Sequence, residues 1–141
     1  MQLFACSKSN EVEQTNSSDT TTTINTTKMK ITIGAAVFTA TLNNNATTTA
    51  FKAMLPLTIN MSELNGNEKL YYCSTTLPTN ASSGGNIQVG DLMLYGNNCL
   101  VLFYKGFNTS YSYTRLGRID NTSGLVAALG SEGVTVKFEK Q

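Results

Sequence analysis

The chain has 141 residues, a formal net charge of +1, and 13% charged against 40% hydrophobic residues, which fits one folded domain with a tail and leaves no room for a second domain. Its lysines and arginines are scattered at a near-neutral balance, so no basic stripe is available and nucleic acid is excluded as a partner. Histidine and tryptophan are absent, which removes imidazole-based triads and imidazole metal sites.

The first residues, Met1-Gln2-Leu3-Phe4-Ala5-Cys6-Ser7, place an apolar side chain three positions before a cysteine, a small one directly before it and a serine after it. This run resembles the end of a bacterial lipoprotein signal peptide, in which the cysteine becomes the lipidated N-terminus. The resemblance implies lipidation at Cys6 and a lipid-anchored or secreted place in the cell envelope; if the match is accidental, the expected location is cytoplasmic. The basic start and apolar core of such a signal are missing before Ala5, which on this reading makes Met1 an internal methionine of a longer precursor. Residues 7–27 are almost entirely Ser, Thr, Asn, Gln and charge, with little to bury, so residues 1–27 read as a disordered tether ahead of a domain over 28–141. The plainer alternative is a frayed terminus with a chance cysteine. No stretch approaches the ~20 apolar residues that a membrane-spanning helix needs, so a lipid is the one membrane link expected.

Order is expected from Lys28. Residues 29–34 (MKITIG) and 36–42 (AVFTATL) alternate and are rich in β-branched side chains, with Gly34-Ala35 suited to a tight antiparallel hairpin. Asn43-Asn44-Asn45 supplies N-caps for a helix over 46–55, with Ala46, Ala50, Ala53 and Met54 on one face and Pro56 as the stop. Residues 57–61 and 68–73 (EKLYYC) return to strand, separated by the turn signal Asn65-Gly66-Asn67, and 74–86 reads as a loop. Leu92 and Leu94 share one face of the next strand, Gly96-Asn97-Asn98 turns the chain, and 99–104 (CLVLFY) is apolar on both faces. A strand covered on both sides fits the middle of a barrel whose flank is closed by a helix. A strand over 113–120, a short helix over 124–129 capped by Thr122 or Ser123, and a closing strand over 134–139 complete the order. The fold class is therefore mainly β: a closed eight-stranded barrel flanked by two short helices.

Residues 56–69 (PLTINMSELNGNEK), 89–95 (VGDLMLY), 99–105 and 116–120 (LGRID) together resemble the bacterial cyclophilin-like domains, over roughly 28–139. That resemblance implies a barrel related in fold to peptidyl-prolyl isomerases, with a shallow outer groove. Active cyclophilins stabilise a twisted amide with an arginine against a rotation barrier of about 18–20 kcal/mol and hold the proline ring on Phe and Met. Their Phe-His-Arg and Gln-Gly-Gly-Asp runs are missing here, and Arg115 and Arg118 fall in a late strand rather than the early one that carries the family's arginine. No residue is carried over as catalytic. Domains resembling this one are often found beside flavodoxin-like proteins, which implies a flavodoxin-like partner as an alternative; no residue pattern supports a flavin or other cofactor.

Other chemistries lack their parts. No serine sits in a Gly-x-Ser-x-Gly elbow, and Gly84-Gly85-Asn86 has neither the spacing nor the Lys-Ser/Thr end of a phosphate loop. Cys73 and Cys99 stand alone in apolar strands without neighbouring ligands, which makes them small buried hydrophobes rather than metal ligands. Export would permit a Cys73–Cys99 disulfide only if their strands are neighbours. The candidate site is aromatic: Tyr104, Phe107, Tyr111 and Tyr113 gather around a loop over 105–112, with Arg115 just beyond. Tyr111, Tyr113 and Arg115 share strand parity and could line one side of a groove for a peptide, a planar ring or an anionic small ligand. The plainer reading packs the Tyr rings at a rim and pairs Arg118 with Asp120. The functional expectation is a non-catalytic binding module recognising a peptide or small molecule, with a weak peptidyl-prolyl isomerase or a redox accessory as the alternative.

Overall fold

The computed structural model describes residues 27–141; Cys6 and the expected tether as far as residue 26 lie outside the described residues. Nine strands and two helices follow in the order β1 (Lys28–Ile33), β2 (Ala36–Leu42), α1 (Ala46–Lys52), β3 (Leu57–Leu64), β4 (Glu68–Tyr72), β5 (Ser82–Ile87), β6 (Asp91–Tyr95), β7 (Cys99–Phe103), β8 (Phe107–Ile119), α2 (Leu125–Leu129) and β9 (Val134–Lys140). Eight of the strands pair antiparallel in a closed ring, β2-β1-β9-β3-β4-β7-β6-β8, with β8 returning to β2 through Ala40↔Ile119 and Leu42↔Gly117. The closure depends on a missing side chain: a Cβ on Gly117 would stand 2.4 Å from the Thr41 carbonyl oxygen. Only glycine lets the two backbones come this close.

Alternation along the strands fills the ring. Met29, Ile31 and Ile33 of β1, Val136 and Phe138 of β9, and Leu100 and Leu102 of β7 point inward into one continuous core. The helices leave from opposite ends of the antiparallel β2/β8 pair and close the core there. In α1, Asn45 caps the helix through Thr48 N–H to Asn45 Oδ1 (2.8 Å) and Asn45 N–H to Thr48 Oγ1 (3.1 Å), while Asn45 Nδ2 donates to the Arg115 carbonyl (2.9 Å). Phe51 then inserts edge-on against Phe138, 5.8 Å between centroids, a burial that stabilises by roughly 2–3 kcal/mol.

Several expectations are corrected. Helix α1 ends at Lys52 rather than residue 55, because the residue before Pro56 is barred from helical geometry and the last turn tightens through Met54 N–H to Phe51 O and Leu55 N–H to Lys52 O. Its buried face is Thr47, Thr48 and Phe51, not the alanine face. Helix α2 is capped by Gly124 in a left-handed conformation, without a side-chain hydrogen bond from Thr122 or Ser123. Residues 82–86, expected as the end of a loop, belong with Ile87 to β5, and 107–112 belong to β8, which runs through thirteen residues.

These last two changes decide the architecture around β7. Its inner residues Leu100 and Leu102 join the main core, and its outer residues Cys99, Val101 and Phe103 join a second cluster with Ile87, Met93 and Tyr113. The doubly covered strand was expected to lie under a helix. Its outer cover is instead the two-stranded ribbon of β5 and the first half of β8, paired through Ile87↔Phe107 and Ser82↔Tyr113.

Candidate functional site

The ribbon covers the outer face incompletely and leaves a cavity of about 330 Å³. Alternation builds its floor: Glu68, Leu70 and Tyr72 face outward from β4, directly opposite Phe103, Val101 and Cys99 of β7. Tyr95, at the end of β6, and Phe107, Tyr111 and Tyr113 of β8 form the wall, and the β3–β4 turn, with Leu64, Asn65 and Asn67, closes one end. The wall is an aromatic cluster, with ring centroids 5.5 Å apart for Tyr95–Tyr113, 6.2 Å for Tyr95–Tyr111 and 5.6 Å for Phe103–Tyr113. Among the described residues six large hydrophobic side chains are exposed, and four of them, Leu64, Tyr72, Tyr95 and Tyr111, line this groove. These four side chains are gathered at one place rather than scattered over the surface.

Three of the five residues singled out in the sequence, Phe107, Tyr111 and Tyr113, converge in the groove. Tyr104 does not. It faces the main core, donates its hydroxyl to Glu63 Oε1 (2.7 Å), and carries the Lys69 ammonium 5.3 Å from its ring centroid. Burial and that hydrogen bond push its pKa up to about 12.

Arg115 also lies outside the groove. It pairs with Met93 in the ladder, but its guanidinium turns under β5, donating from Nη2 to the Gly84 carbonyl (2.9 Å) and standing 4.0 Å from Asp91. Arg118 is held by Asp91 at 2.6 Å, not by Asp120, whose partners are Lys28 at 2.9 Å and Thr41 at 2.5 Å. Hydrogen bonds from Thr41 and Lys28 hold the Asp120 carboxyl below the usual carboxylate range.

The sequence reading passed over Glu68. The residue is 9% exposed and lines the groove, and among the described residues its carboxylate is engaged by no ion pair or hydrogen bond. Burial and the nearby Glu63 charge push its pKa upward. Asn67, also lining the groove, has a buried side-chain oxygen without a donor. Tyr113 is buried beside Glu68, and desolvation followed by the Glu68 charge raises its pKa to about 12, so its phenol stays neutral. Burial likewise raises the Cys99 thiol. Cys99 of β7 faces this outer cluster while Cys73, just past the end of β4, faces the main core, so the two free thiols lie on opposite faces of the sheet.

Among the described residues no group of three or more His, Cys, Asp or Glu side chains could hold a metal, and no helix is long and apolar enough to cross a membrane. A family model described as the cyclophilin-like family matches residues 31–139. The solution structure of a hypothetical protein from Archaeoglobus fulgidus superposes with a TM-score of 0.58 at 18% identity, covering 82% of this chain and 95% of that one. At that identity the likeness speaks for the fold. No curated protein matches the chain.

Proposed function

The chain belongs to the cyclophilin-like family, and from that premise we propose that it is a non-catalytic binding domain whose barrel presents the outer aromatic groove to a peptide or small ligand. The observation that supports this reading is the unfinished cover over β7: the ribbon packs Ile87, Phe107 and Tyr113 onto one part of the outer apolar face and leaves Tyr72, Tyr95 and Tyr111 exposed around a cavity. A cavity of this size, with aromatic walls and a mixed polar and apolar lining, suits a ring or one or two side chains of an extended peptide. Catalysis of X–Pro rotation is disfavoured on the same geometry. Both nearby guanidiniums are committed to Asp91 and the Gly84 carbonyl, outside the groove. On this reading residues 1–27 act as a tether and Cys6 as a point of lipid attachment, displaying the groove at the envelope surface.

The reading is tested by titrating the protein with a library of fragments and blocked dipeptides while recording amide spectra. Binders are expected to move the signals of Tyr72, Tyr95 and Tyr111, and Tyr95→Ala to weaken them. Binders that instead moved Asp91 and Arg118, or only α1, would place the recognition surface elsewhere.

A further inference from the structure

We propose that the groove recognises a protonated amine, the ammonium seated on Glu68 and its apolar body laid against Tyr72, Tyr95 and Tyr113. The proposal rests on the groove being the binding surface and adds the sign and chemistry of what it takes. Glu68 is 9% exposed as a residue and turns an unpaired carboxylate to an aromatic-lined cavity, and none of the Lys or Arg side chains among the described residues reaches it. A buried charge without a partner is costly, and the cost is relieved when a ligand supplies the opposite charge together with hydrogen bonds. Tyrosine rings border the same cavity, and an aromatic ring face favours a cation over an anion or a neutral group. A carboxylate without donors favours a cation bearing N–H groups, a primary amine before a quaternary one. An anionic ligand, which a groove containing Arg115 would have suited, is disfavoured once that guanidinium turns away to Gly84 and Asp91.

Two sources share this chemistry, a free aralkyl amine and the lysine side chain of a peptide. The full chain is titrated at pH 7 with 2-phenylethylamine, 2-phenylethanol and 3-phenylpropionate, and in a second arm with a blocked Ala-Phe-Lys-Ala peptide and its norleucine counterpart. The amine is expected to bind about tenfold more tightly than the alcohol, and the carboxylate most weakly. A lysine peptide exceeding its norleucine counterpart by a similar factor assigns the source to peptides; preference for the free amine alone assigns it to small molecules. Glu68→Gln is expected to weaken the amine far more than the alcohol, bringing the two to within about twofold of each other. The comparison of the three ligands in the unaltered chain stands without that variant. Alcohol or carboxylate binding in the groove as tightly as amine overturns the cation assignment and leaves the groove reading intact. If none of the probes moves a groove signal, the cation assignment falls, and the fragment library separately decides whether the groove binds at all.

Discussion

Glu68 and Lys69 are consecutive residues of β4, both buried and oppositely charged, and they meet opposite fates. Lys69 points inward at one end of the ring, where its ammonium donates to Glu63 Oε1 (2.9 Å), the Gly130 carbonyl (2.9 Å) and the Glu132 carbonyl (2.5 Å). All three of its protons are used, and the segment between α2 and β9 is fastened to β4. Glu68, one position earlier and on the other face, has neither cation nor donor among the described residues. The contrast separates a charge that holds the fold together from one whose hydrogen bonding is left for something outside the chain to complete.

Replacing each charge should therefore act in opposite directions. Lys69→Met removes three hydrogen bonds and leaves two carbonyls and Glu63 with fewer donors, so a loss of about 3 kcal/mol in urea unfolding is expected. A loss below about 0.5 kcal/mol would mean that Lys69 is not the fastening. Gly84→Ala comes next. Its Cβ would meet Thr109 Cγ2 at 2.9 Å, Tyr113 Cδ2 at 3.0 Å and Ile87 Cδ1 at 3.2 Å, which forces the ribbon away from β7. A cost of about 1–2 kcal/mol is expected, with spectral changes confined to the groove; an unchanged Tyr113 environment would show that the ribbon yields freely.

The inner region was far more legible in the sequence than the outer one. Alternation with β-branched residues announced β1, β2 and β9, and the all-apolar run of β7 announced a strand covered on two faces. The cover itself was hidden, because Ser82-Ser83-Gly84-Gly85-Asn86-Ile87 has almost no strand propensity and becomes a strand only by pairing with β8. Site residues were found where closeness in sequence coincided with one face, as for Phe107, Tyr111 and Tyr113. Tyr104 failed because it follows Phe103 and so faces the other way. Arg115 kept its parity, but its long side chain was drawn to Asp91 and Gly84. Glu68 was readable in principle: alternation in EKLYY sets Glu68 with Leu70 and Tyr72, although only the ladder to β7 reveals that this face is buried.

A smaller effect should appear in the pH dependence of stability. Glu63, hydrogen-bonded by Lys69 and then Tyr104, and Asp120 are both held below the ordinary carboxylate range. Their contribution is present above their unfolded values and is lost as the pH falls below about 4. Glu68, faced by Glu63, Tyr113 and Cys99, is shifted upward. The folded state then binds more protons than the unfolded one above about pH 4.3, so this group makes stability decline as the pH rises through that window. Melting temperature should accordingly be highest in mildly acidic solution. Glu68→Gln should raise it at pH 7 by no more than ~5 °C and flatten the decline. A variant with an unaltered slope between pH 4.5 and 7 would assign the decline to another group.

Tyr111→Ala should have the least effect on the fold and still register in binding. The ring is 64% exposed and touches the cluster through Tyr95 alone among the aromatic contacts of the described residues, so unfolding should change by within ~0.5 kcal/mol. Because that ring forms the open edge of the wall, its loss takes away one aromatic face from a bound amine and should weaken binding about threefold. The alcohol, which gains only the apolar contact, should weaken less. Equal losses for the two would make Tyr111 an apolar edge rather than part of a cation site, and would narrow the recognition of charge to Glu68 and the rings beside it.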